Sequence, residues 1–243
     1  MIRVNFRGRL GNRLIQYAAG YILAKKTGLE FNTSGACSYG NSDIDDFQVA
    51  FKIPSIDGTR YTETTQVTDD NFLDYLKTPK EGLGYELTGY FFHDELLGDY
   101  RADILEMYQF VPPAAPSHDD VFIHARYGDT INILDGYCSV QYIEKQLQQY
   151  PTSSKIYVSS DTIDHPPLVN LIKKYNLIEY HNTPLNTILF ASCFNNMILS
   201  AGTFSYWIMY LGDAENVHIY DVFYDESLKH GAYKYNKRII FDK

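Results

Sequence analysis

The chain has 243 residues, 45% of them hydrophobic and 21% charged, with a formal net charge of −9; that composition excludes a disordered or low-complexity chain and suits one large domain or two small ones. The acidic balance argues against a nucleic-acid partner, because affinity for phosphate backbones rests on clustered Lys and Arg. Three widely spaced cysteines, Cys37, Cys138 and Cys193, without a CxxC pair, indicate neither a disulfide framework nor a structural zinc site and fit a reducing compartment.

In chain order, Ile2 to Phe6 reads as a strand standing where a signal peptide would, and no apolar run approaches the ~18 residues of a membrane span. The expectation is a cytoplasmic protein with no integral membrane segment. The turn Arg7-Gly8-Arg9-Leu10-Gly11-Asn12 then leads into a helix with Leu14, Tyr17, Ala18, Tyr21 and Ile22 at i, i+3, i+4 spacing, ended by Gly28. A second strand is expected at Leu29 to Asn32. From Ser34 to Thr68 the chain is rich in Gly, Ser, Asp and Thr and carries no sustained period. Regularity returns with a strand at Glu86 to Phe92 and a helix from His93 to about Phe110.

The stretch Val111-Pro-Pro-Ala-Ala-Pro-Ser-His118 holds three prolines in eight residues and reads as a linker. It divides an N-terminal α/β domain, residues 1–113, from a C-terminal α/β domain, residues 114–243. The C-terminal part alternates throughout. Strands are expected at Val121 to His124, Lys155 to Ser159, Ile178 to His181, Met197 to Ala201 and Val217 to Tyr220. Helices lie between them at Val140 to Tyr150, Pro167 to Tyr175, Leu185 to Asn196 and Phe204 to Leu211. That rhythm implies a parallel sheet with right-handed crossovers, whose ligands sit beyond the carboxyl ends of the strands.

Three polar clusters fall at those strand ends: His124-Ala-Arg126-Tyr-Gly128-Asp129, Ser159-Ser160-Asp161 and Gly202-Thr203-Phe-Ser205. A guanidinium, an acid, and a glycine turn leading into hydroxyl residues at a helix start would cradle a nucleotide diphosphate. Each cluster alone has a plain structural alternative, a surface ion pair or a helix N-cap. Gly8 to Asn12, between a strand and a helix, suits either a ligand-facing turn or an ordinary tight one. Neither GxGxxG nor a P-loop is present. Asp43-Ile-Asp45 formally matches a DxD metal motif but lies in a polar loop, and the seven His are scattered, so no metal is expected. Most of the 22 tyrosines suit strands and core, with Tyr206 and Trp207 singled out beside the Thr203–Ser205 cluster, and Cys193 reads as core.

Four stretches, in order, resemble the family 11 alpha-1,2-fucosyltransferases of the HxRxGD superfamily. Gly8-Arg-Leu-Gly11-Asn12-Arg-Leu-Ile-Gln16-Tyr17-Ala18 is similar to GxLGNQxFQYA, and Gly89-Tyr-Phe-Phe92 to GYFQ. His124 to Asp129 is similar to HIRRGDY, and Ser200 to Trp207 to ANSTFSWW. Departures include Tyr127 for the second Arg, Ala201-Gly202 for Asn-Ser, and Tyr206 for a Trp.

The resemblance implies two Rossmann-like domains facing a cleft, the GT-B type. It also implies an inverting, metal-independent transfer from a GDP-fucose donor to a hydroxyl of a glycan acceptor, with no cofactor. It would place Arg126 on the diphosphate, His124 and Asp161 on the nucleoside, Thr203 and Ser205 on the phosphates, and Gly11 and Asn12 on the donor from the other domain. As a general base, Asp129 comes first and Asp135 second; Asp129 could equally pair with Arg126 and orient it. The alternatives are transfer of another nucleotide-activated sugar and a non-catalytic sugar-nucleotide-binding module. A hydrolase lacks a GxSxG-type motif.

Overall fold

The computed structural model describes residues 1–31, 56–108, 116–128, 138–220 and 239–242. By contacts the chain divides into two compact units, Met1–Phe110 and Val111–Lys243, both of mixed α/β structure with parallel sheets.

The first unit is organised around a helix that is buried nearly all round. In α1 (Leu10–Thr27) every residue from Leu10 to Ala24 except Asn12 is buried, as befits a helix enclosed rather than lying on a surface. Small residues let it approach closely: a Cβ on Gly20 would stand 2.7 Å from the Phe31 ring and 2.9 Å from Val4. Gly28, at φ 65°, ends the helix in the left-handed region and donates its N–H to Ala24 O at 2.9 Å. Lys25 and Lys26 occupy the last turn, where cations suit the helix dipole. The helix adjoins a parallel sheet in the order β1 (Ile2–Val4), β3 (Gly84–Leu87), β2 (Thr64–Val67), with α2 (Phe72–Lys77) on the crossover from β2 to β3.

Three expectations for this unit need correction. Of the strand expected over 29–32, the described residues Leu29 and Phe31 make isolated bridges, to Thr59, Ile56 and Ile2. The strand expected over Glu86–Phe92 ends at Leu87. Beyond it Phe91 sits at φ 55°, which no extended strand allows. That turn is held by the Asp69 carboxylate, which accepts the N–H groups of Tyr90 (3.0 Å) and Phe91 (2.5 Å). The helix expected over 93–110 is divided into a π-helical turn, Glu95–Asp99, and α3 (Arg101–Met107), with a break at Tyr100.

In the second unit six parallel strands are ordered β6 (Ile178–Glu179), β5 (Ile156–Ser160), β4 (Val121–Ala125), β7 (Asn196–Leu199), β8 (Asn216–Tyr220), β9 (Ile239–Asp242). The central pair β4 and β7 is buried at every position, the signature of a sheet covered on both faces. Helices α4 (Val140–Leu147), α5 (Pro166–Tyr175), α6 (Pro184–Ala191) and α7 (Thr203–Leu211) alternate with the strands. Ser139 caps α4 and Thr183 caps α6 through their hydroxyls, and Asn176 closes α5 at φ 51°. Helix α6 ends at Ala191 rather than Asn196, because Asn196 already belongs to β7, where its amide donates to His118 O at 2.9 Å.

The chain runs β4, β5, β6 toward one edge, then returns to lay β7 beside β4 and proceeds to the other. The topological switch point therefore lies at the carboxyl ends of β4 and β7.

Candidate active site

The strand order brings the three polar clusters together. Register pairs His124 with Ser159 on β5 and with Leu199 on β7, so the residues after β4, β5 and β7 emerge side by side on one rim.

His124, penultimate in β4, is 6% exposed, and its Nδ1 lies 2.7 Å from Ser205 Oγ and 3.1 Å from Ser200 Oγ. The two hydroxyls are themselves 3.1 Å apart, closing a buried triangle. Burial, with a smaller contribution from the Arg126 charge, pushes the imidazole pKa down to about 3, so the ring is neutral at physiological pH. Phe204 lies against it, ring centroids 4.8 Å apart. Ser205, expected on a phosphate, is instead fully buried with its hydroxyl committed to this triangle.

The loop after β4 is shaped by a carboxylate from the neighbouring strand's end. Asp161 Oδ1 accepts the N–H of Tyr127 (2.9 Å) and of Gly128 (3.1 Å). A Cβ on Gly128 would overlap Asp161 Oδ2, so the glycine leaves room for the carboxylate. Arg126 is half-buried between His124 and this clamp. Tyr127, standing where the family pattern has its second Arg, is 5% exposed and lies tilted against His165, ring centroids 4.4 Å apart, beside Cys138. Burial raises the Tyr127 phenol and pushes the Cys138 thiol up to about 12. Arg126 is thus the cation among the described residues of this loop.

Across from it, Gly202 precedes α7 at φ 114°, a conformation that disfavours any side chain, where the family pattern carries Ser. Thr203 opens the helix and is partly exposed. Tyr206 and Trp207 are 1% and 0% exposed; both are core, the indole packing edge-on to Tyr210. Cys193 is half-buried with its thiol bonded to Leu189 O at 3.3 Å, and burial raises its pKa.

In the first unit Gly11 is buried and Asn12 partly exposed in the first turn of α1. The approach to that turn is fixed by Gln16, fully buried, which accepts the Arg7 N–H at 2.9 Å and donates back to Arg7 O at 3.1 Å. Asp129, Asp135, Asp43, Asp45 and Cys37 lie outside the described residues, as does most of the proline stretch. Sequence reasoning missed Ser200 as a partner of His124, and the Asp69 clamp; no local pattern marks either.

A guanidinium, a neutral histidine and a hydroxyl-bearing helix start thus stand together at the switch point of a parallel sheet, where such sheets bind their ligands. The model of glycosyl transferase family 11 matches residues 71–239, spanning the Gly89, His124 and Thr203 segments. The chain belongs to this family and is a fucosyltransferase-like glycosyltransferase. A comparison with curated proteins found no match. Among the described residues no helix is long and apolar enough to cross a membrane.

Proposed function

We propose that the protein is an inverting, metal-independent glycosyltransferase of the GT-B type that moves L-fucose from GDP-fucose to a hydroxyl of a glycan acceptor, with alpha-1,2 as the linkage the family pattern favours. The observation that carries this is Arg126 at the switch point, on a loop clamped by Asp161 and next to a histidine kept neutral.

In such a transfer the acceptor oxygen bonds to the anomeric carbon while the bond from that carbon to the diphosphate oxygen breaks. Negative charge grows on the leaving phosphate and the hydroxyl proton passes to a base. A fixed cation about 4 Å from that charge is worth on the order of 4 kcal/mol at an effective dielectric of 20. Arg126 supplies it. Keeping His124 neutral leaves its Nε2 for the nucleoside without a second positive charge beside Arg126. Thr203 and the first amides of α7 meet the remaining phosphate oxygens. Ser205 acts through His124, holding its ring. Asp161 serves by holding the loop, and Asp129 is the first candidate for the base.

Purified protein is incubated with GDP-, UDP- and dTDP-sugars in EDTA, and binding is titrated alongside slow donor hydrolysis. Selective binding and hydrolysis of GDP-fucose is expected. Preference for another sugar nucleotide would reassign the donor, and binding without release of GDP from any of them would indicate a non-catalytic module.

A further inference from the structure

We propose that the first unit carries a separate binding site for an anionic sugar, a saccharide bearing a carboxylate or phosphate, in the cavity at the head of α1. The cavity is about 440 Å³ and is lined by Asn5, Phe6, Arg7, Gly8 and Arg13, a size within the range of small-molecule sites.

Arg13 is the central observation. It is 8% exposed, its Nε has no hydrogen-bond partner, and it lines the cavity. A guanidinium buried without a partner is costly unless an anion compensates it. It also stands where the family pattern GxLGNQ has a neutral Gln. Arg7 places a second guanidinium at the rim, and no carboxylate among the described residues pairs with either. The helix start adds to the field: Arg9 provides no side-chain cap and the first turn of α1 holds no acidic residue.

Phe6 specifies a sugar rather than a bare ion. Its ring is backed by buried Tyr17, centroids 4.3 Å apart, and Tyr17 lies one helical turn beyond Arg13 on the same face. A supported ring beside a guanidinium fork suits the apolar face of a pyranose whose acid group reaches the cation. Gly8, at φ 73°, lines the cavity with its backbone set against the Asn12 amide, which a Cβ there would overlap. Asn5 is anchored through its Nδ2 to Glu86 (3.0 Å) and Thr88 (2.9 Å). In a glycosyltransferase such a pocket selects an acidic acceptor. That assignment rests on the enzyme class and not on the donor being GDP-fucose.

The full chain is titrated by calorimetry with methyl glucuronide, glucose 6-phosphate and neutral methyl glucoside, each with and without saturating GDP, and GDP-fucose binding is measured on the same sample. One or both anionic sugars should bind at least about tenfold more tightly than the glucoside, the factor a charge-assisted hydrogen bond commands; which one does so tells carboxylate from phosphate. GDP should not displace it. R13Q, checked by its melting curve, should erase the preference. Equal binding of acid and neutral sugars by the wild type overturns the proposal even if R13Q fails to fold. So does a preference that survives in folded R13Q, or displacement by GDP, which would assign Arg13 to the donor. Loss of GDP-fucose binding with the acid preference intact would sink the donor reading alone.

Discussion

The buried His124 makes a quantitative demand on stability. Its ordinary pKa of 6.5 falls to about 3 in the folded chain. The unfolded chain therefore binds a proton between those values that the native chain refuses. Stability rises with pH through that window and is lost as pH falls below the unfolded value. Linkage between these two values makes the loss about 2 kcal/mol on going from about pH 8 to about pH 5. The experiment is urea unfolding at both pH values for the wild type and for His124→Gln. The absolute stability of the variant is immaterial; the difference in slope isolates the histidine from other titrating groups, such as the exposed His118, whose pKa is raised by Asp119 and Glu215. Equal losses in the two proteins would refute the neutral buried ring.

Three further outcomes follow from the same geometry. Arg126→Ala, folded, should lower turnover roughly a hundredfold or more while melting as the wild type does, as loss of a preorganised charge partner does elsewhere; wild-type turnover would remove Arg126 from the chemistry. Gly128→Ala should push the Asp161 carboxylate off its two amides and depress activity far more than stability, checked by paired kinetic and melting measurements. Cys138, buried with its thiol pKa near 12, should resist a thiol reagent at neutral pH until urea is added; labelling in the native state, located by mass spectrometry, would contradict its placement.

Much of the second unit was legible in the sequence because buried parallel strands are written as short apolar runs, and Val121-Phe-Ile can be little else. The first unit was less so. Strand β2 is Thr-Thr-Gln-Val and buries only Val67 fully, so it offers no apolar run, and the six residues of α2 are too few for a period. Gly89-Tyr-Phe-Phe92 is apolar enough to extend a strand, yet a carboxylate twenty-odd residues upstream bends it. The rim residues were readable as types and as strand ends, but not their division of labour. That Ser205 serves His124 rather than facing solvent depends on a contact across 81 positions.

Both units fix the loop after a strand in one way: Asp69 and Asp161 each take two successive amides of the neighbouring strand's loop, and Gly89 and Gly128 leave them room. The acid and its glycine are therefore a single spatial unit spread over distant positions. Replacing Gly128 is tolerable only if residue 161 changes with it, and a graft of the His124–Gly128 segment into another scaffold would carry the arginine but lose its aim unless the tip of β5 travelled too.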